Sequence, residues 1–203
     1  MHSTNLNKLK LALAIHIALT AALLSGCAGN KQSTGALDQP HKNIHGSTVR
    51  PALANQQTKL AVLVFITTDC PIANSYCPEI NRIAKDYAKK NIKLTLVHVD
   101  PDVTAKQAKK HADEYKLMPA IVIDHQRTLI KITGATVTPE AAVFDSSGKL
   151  IYRGRINNQY AGFGDRRAAA TVHDLRAAID AGLAGKPVAN PRTKALGCFI
   201  PGV

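Results

Sequence analysis

The run Lys59-Leu-Ala-Val-Leu-Val-Phe-Ile66 constrains the fold of this chain more than any other feature. It is continuous, of strand length and without polar alternation, so it reads as a strand buried on both faces. From about Pro71 to Lys90, Ile72, Tyr76, Ile80, Ile83 and Tyr87 recur at helical spacing, and Ile92-Lys-Leu-Thr-Leu-Val-His-Val99 reads as a second strand. Strand, helix, strand in that order predicts a parallel pair joined by a crossover helix. A helix from about Thr104 to Lys116 follows, then a short strand Ala120-Ile-Val-Ile123 and a short helix from Thr128 to Thr133. Ala141–Phe144 and Lys149–Arg153 flank Asp145-Ser-Ser-Gly148, a turn that makes the last two strands antiparallel. A final helix is expected from Thr171 to Ala184, starting near Ala170 or Thr171, with Gly185 at C′. The fold class expected is α/β, a central mixed sheet flanked by helices.

Around this domain, placed at residues 59–185, the ends have a different character. Lys8 and Lys10 precede an apolar run, Leu11 to Leu24, that is shorter than the ~20 residues a bilayer core requires. Residues 1–26 therefore read as a secretory signal, and Leu24-Ser25-Gly26-Cys27 resembles the bacterial lipobox, which implies lipidation of Cys27. Ala28 after it favours the periplasmic face of the outer membrane, with acyl chains as the anchor. Residues 27–58 lack any apolar period and read as a flexible tether. His41 and His45 in it read as an incidental pair. Residues 186–203 form a Pro- and Gly-containing tail that carries Cys198.

The chain has 203 residues, 45% of them apolar and 20% charged, which excludes wholesale disorder and collagen-like composition. Its formal charge is +12, yet no stretch combines aromatic and basic residues as nucleic-acid binders do. The expected partners are a periplasmic protein thiol or disulfide and the membrane, not nucleic acid.

The segment Val64-Phe-Ile-Thr-Thr-Asp-Cys70-Pro71 resembles the thioredoxin superfamily, on the redoxin side that includes TlpA-type proteins and peroxiredoxins. Phe65 stands five residues before Cys70 and Pro78 eight after it, as in that superfamily, and Val137-Thr138-Pro139-Glu140 looks like its cis-proline loop. The resemblance implies a thioredoxin-like fold and a redox-active Cys70. The chemistry fits the placement: a cysteine where a strand gives way to a helix faces unpaired N–H groups and the positive end of the helix dipole, both of which favour the thiolate. Asp69 opposes this by its charge. A cis bond at Thr138–Pro139, as the resemblance implies, would present backbone beside the sulfur.

The chain departs from the superfamily at position 73, where Ala73 stands instead of the second thiol of Cys-x-x-Cys. Two cysteines remain to resolve an oxidised Cys70. Cys77 lies on the same helical face but ~10 Å further along the axis, beyond the ~7 Å Cα separation a disulfide tolerates, so it would need local unwinding near Pro78. Cys198 would have to fold back on a flexible tail. Glu140 is either a proton relay to Cys70 or a solvated carboxylate.

Three other functions stay open. Thr67-x-x-Cys70-Pro71 matches peroxiredoxins, but Leu63 and Pro139 stand where that family has its Pro and Arg, so a peroxidase would need Arg153 or Arg155 at the sulfur. A copper module resembling the Sco-type chaperones would use Cys70 and Cys77 with His98 or His125, His98 otherwise reading as a strand-end or surface residue. A non-catalytic binding lipoprotein is the last. His111 and His173 read as exposed residues without a role, and Asn157 stands where related proteins carry an acid. The principal expectation is thiol-disulfide exchange through Cys70, with Cys77, Cys198, Thr138, Pro139 and Glu140 around it and no cofactor.

Overall fold

Seven consecutive apolar side chains, Leu60–Ile66, are all buried in the computed structural model, which describes residues 35–54 and 57–203. The elements are β1 (His41–Lys42), β2 (Thr48–Val49), β3 (Leu60–Ile66), α1 (Pro71–Tyr87), β4 (Ile92–His98), α2 (Ala105–Glu114), β5 (Ala120–Ile123), α3 (Thr128–Thr133), β6 (Val137–Thr138), β7 (Glu140–Asp145), β8 (Leu150–Gly154), β9 (Tyr160–Gly162), β10 (Asp165–Arg166), α4 (Asp174–Leu183) and β11 (Cys198–Phe199).

The main sheet has the order β5-β4-β3-β7-β8. β3 is its hub, parallel to β4 from Leu60↔Ile92 to Ile66↔His98 and antiparallel to β7 from Leu60↔Asp145 to Phe65↔Glu140. Because side chains alternate along a strand, Leu60, Val62, Val64 and Ile66 share one core with Tyr76, Ile80 and Ile83 of α1 and Leu175 and Ile179 of α4. Ala61, Leu63 and Phe65 face the opposite core, with Leu129 and Ile130 of α3. Every β3 residue thus has an apolar partner layer. The mixed sheet predicted from the sequence is the one found, with β7 and β8 joined through the Asp145 turn, where Gly148 takes φ +81° and Asp145 Oδ1 accepts the Ser147 and Lys149 amides at 2.9 and 3.0 Å.

Four expectations change. Residues 35–58 are not a flexible tether where they are described. β1 and β2 pair, Asn43 bridges to Val122, and Leu37, Ala52 and Ala54 are buried in the second core. These scattered apolar residues have no period of their own because a neighbouring surface dictates which of them are covered. The C-terminal segment is strapped down too: Thr193 N donates to Arg153 O at 3.2 Å, Ile200 N to Thr136 O at 2.9 Å, and Ile200 is buried. Burial of such a side chain contributes about 1.5–3 kcal/mol, enough to hold a short segment. The last helix starts at Asp174 with His173 as its N-cap, because Asn158 Oδ1 captures the Thr171 and Val172 amides at 2.9 and 3.0 Å and holds them outside the helix. Finally, α1 runs unbroken through Pro78, so the unwinding considered for Cys77 does not occur. The secretory signal and Cys27 lie outside the described residues. Among the described residues no helix is long and apolar enough to cross a membrane.

Candidate active site

β3 ends at Ile66 and α1 begins at Pro71, and Cys70 is the N-cap between them with extended backbone, φ −80° and ψ 109°. Pro71 at the first helical position needs no amide partner there and fixes a helical φ. Cys70 Sγ accepts the Ala73 N–H at 3.4 Å, so the sulfur takes the capping place and sits at the positive end of the helix dipole. Its thiol donates to Thr138 O at 3.1 Å. The Thr138–Pro139 bond is cis, and that carbonyl belongs to β6, immediately before the bend into β7. Cys70 is 1% exposed.

The tail supplies the rest of the cover. β11 pairs antiparallel with β6, Cys198 opposite Thr138 and Phe199 opposite Val137. Gly197 permits this contact, since a Cβ there would stand 1.9 Å from Thr138 O. Cys198 and Cys70 thus both lie beside Thr138, close enough to interact electrostatically. Burial, the neighbouring Cys70 and the charge of Asp69 push the Cys198 thiol up to about 11. Asp69, the smallest of these contributions, is itself exposed.

The remaining residues divide sharply. Cys77 is buried in mid-helix, its thiol turned back to Ala73 O at 3.7 Å, and burial pushes it up to about 11. Glu140 is a buried carboxylate rather than a solvated one: it accepts the Thr136 amide at 2.8 Å and pairs with Arg153 Nε at 3.2 Å. Arg155 donates to Asp174 at 2.7 Å. Both arginines are thereby committed away from the sulfur a peroxidase would need them to reach. Thr67 Oγ1, the peroxiredoxin-like threonine, is buried without a hydrogen-bond partner among the described residues.

The histidines correct the sequence reading most. His98 is a strand-end residue, the last of β4, but it is fully buried rather than at the surface, and its ring packs edge-on against His111 with centroids 5.2 Å apart. His111, expected to be exposed, is also buried, its Nε2 bonded to Asn74 Oδ1 at 2.9 Å. Burial and the neighbouring His111 lower His98 to about 4. The polar pattern of α2 concealed this, because one turn of that helix faces the back of α1 while the rest faces solvent. His125 is exposed and bonds Pro101 O at 2.7 Å. Among the described residues no group of three or more His, Cys, Asp or Glu side chains lies close enough to hold a metal, so Cys70, Cys77 and His98 do not converge into the copper site considered above.

A further residue was only half legible. Asn157 Oδ1 accepts from Tyr76 at 2.9 Å and from the Gln159 amide at 2.9 Å, pinning the loop after β8 to α1. An amide there does both jobs with one oxygen, which an Asn-for-acid reading could not reveal.

A capping cysteine facing a cis-proline carbonyl, on a five-stranded mixed sheet of this order, defines the thioredoxin-like class. The chain belongs to the AhpC/TSA family, whose model matches residues 35–153. Among solved structures it is similar to a hypothetical protein of Sinorhizobium meliloti, with 24% identity and a TM-score of 0.68, covering 81% of this chain and 91% of that one. It is also similar to an uncharacterized conserved protein of Geobacillus kaustophilus, with 25% identity and a TM-score of 0.66, covering 82% and 92%. A secreted Mycobacterium tuberculosis disulfide oxidoreductase, homologous to E. coli DsbE, shares the fold at 16% identity and a TM-score of 0.52, covering 75% and 99%. None of the curated proteins matches the chain.

Proposed function

We propose that this protein is a lipid-anchored thiol-disulfide oxidoreductase of the periplasmic face of the outer membrane, in which Cys70 exchanges disulfides with a partner protein. The observation that carries the reading is the setting of one sulfur: Cys70 Sγ receives the Ala73 amide at 3.4 Å and meets the cis-proline carbonyl of Thr138 at 3.1 Å. A thiolate formed there is faced by a backbone donor and a helix N-terminus, and attack on a partner disulfide gives a mixed disulfide at Cys70. The lipobox-like Leu24-Ser25-Gly26-Cys27 supports the anchor and the compartment. An oxidising periplasm supplies the disulfides such a thiol would act on. Substitution Cys70→Ser tests the chemistry: trapping of thiol partners and reduction of a model disulfide should fall to background, and unchanged exchange in that variant would refute the assignment.

A thiol peroxidase is the second reading, favoured by the family match and by Thr67-x-x-Cys70-Pro71. It requires a cation at the sulfur to stabilise charge on the departing oxygen, and Arg153 and Arg155 are engaged with Glu140 and Asp174. Rapid consumption of hydrogen peroxide by the reduced protein would promote this reading over disulfide exchange.

A further inference from the structure

The chain lacks the second thiol of a vicinal pair at Ala73, and another thiol stands against Cys70 instead. Both Cys70 and Cys198 address Thr138, the first through its thiol to the carbonyl at 3.1 Å, the second as its cross-strand neighbour in β11. The two side chains are thereby brought within reach of one another. This approach is built rather than incidental. Gly197 admits the tail against Thr138 O, Thr193 fixes the segment upstream through Tyr152 at 2.7 Å and the Arg155 amide at 3.1 Å, and Ile200 is buried downstream. Arg127 holds the carbonyls of Pro201 and Gly202 beyond it. Cys77, by contrast, is kept in an unbroken helix.

We infer that Cys198 is the second redox thiol of this site, forming an intrachain disulfide with Cys70, and that β11 is the lid under which Cys70 rests. The inference rests on the exchange reading above. In the reducing direction the Cys70 thiolate attacks a partner disulfide, one partner sulfur leaves and takes a proton, and a Cys70–partner bond forms. The Cys198 thiolate then attacks Cys70 Sγ, the Cys70–partner bond breaks, and the second partner sulfur leaves and is protonated. Two electrons pass to the partner, which ends as a dithiol, and the chain ends with Cys70 joined to Cys198. The order of steps follows from the placement, with Cys70 capping a helix N-terminus and Cys198 beside it on the short β11. Burial foremost, and then the neighbouring Cys70, favour the protonated form of Cys198. Once Cys70 is bonded to a partner, the contribution of Cys70 is gone and ionisation of Cys198 becomes easier, although burial and Asp69 still oppose it.

The same geometry implies that a partner reaches Cys70 only when Cys198–Phe199 swing off β6. That ladder is two residues long, between the anchors at Thr193 and Ile200, so it can open without loss of the fold.

The test treats the reduced full-length protein with oxidised glutathione and maps its cysteines by mass spectrometry without reduction. Wild type and the Cys77→Ser variant should yield a Cys70–Cys198 cross-linked peptide, while Cys198→Ser should accumulate glutathione on Cys70 that persists about tenfold longer or more. Glutathione that stays on wild-type Cys70 as long as on the Cys198→Ser variant, or a Cys70–Cys77 link, overturns the pairing and leaves the exchange role of Cys70 intact. Failure of Cys70 to take up glutathione even in Cys198→Ser, with no disulfide in wild type, overturns the exchange reading and the pairing together.

Discussion

Cys70 and Cys77 lie on one helix and are equally buried at 1% exposure, yet the structure treats them as different chemical species. Cys70 caps α1, where amides lack intrahelical partners, and it faces a backbone carbonyl and a second thiol. Two turns further on, Cys77 meets a helix whose amides are engaged, and its own thiol donates to the Ala73 carbonyl. An apolar core penalises the ion, and amides already bonded within the helix do not offset that as the Ala73 amide does at Cys70, so burial there preserves the thiol. Burial alone therefore says nothing about reactivity; what matters is whether the sulfur meets the free amides at the helix start or lies along its middle.

The largest expected effect separates the two directly. Cys70→Ser should remove disulfide exchange, whereas Cys77→Ala should change the rate less than twofold and cost only about 1 kcal/mol of stability in chemical denaturation. A comparable rate loss in both variants would erase the contrast. Alkylation offers a second measure. Cys77 and Cys198 are both raised from 9.0 to about 11, but Cys77 is buried in mid-helix whereas Cys198 is half-buried on a two-residue strand, so iodoacetamide should label Cys77 slowest of the three described cysteines. Next comes Gly197→Val, whose added atoms collide with Thr138 O and should lift β11, raising the alkylation rate of Cys70 about tenfold while leaving Cys77 unlabelled. No change would mean that β11 does not cover the sulfur.

The smallest effect concerns the histidine pair behind α1. His98 is held neutral, its folded value lowered by burial and by His111 from 6.5 to about 4. The unfolded chain then binds a proton that the folded chain refuses, so stability is full above pH 6.5 and declines as pH falls toward about 4, by up to ~1.4 kcal/mol per unit. Thermal melts between those limits should show the slope, and His98→Leu should reduce it. His111 is lowered in the same direction by its own burial, against a smaller opposing effect of Glu114, and adds to the slope in wild type.

Much of the frame was legible because its signals are local. The apolar run of β3, the Ser-Gly turn after β7, the proline after Cys70 and the Thr138–Pro139 dipeptide each announce their conformation within a few residues. The thiol at position 198 could be named but not placed, since its position depends on Gly197 fitting under a carbonyl sixty residues upstream, and no local pattern encodes that fit. His111 was misjudged for a related reason. It lies in a helix of lysines and acids, and only its Asn74 partner on α1 marks that turn as interior. Residues 35–54 misled through composition, because a polar hairpin that leans on the main sheet needs few apolar residues to dock.

The position of β3 at the centre of the sheet also bears on how the protein is made. Its β4 edge is satisfied early by a neighbouring segment, but the β7 edge waits until residues 140–145 have been synthesised and threaded into place. Until then an all-apolar, uncharged ribbon with open amides is available to any other unfolded copy, and such segments seed aggregation. Substitutions that slow the arrival of β7, for example a charge at Ala142 or Val143, should accordingly be detected as poor yield and inclusion bodies before any defect in thiol chemistry can be measured.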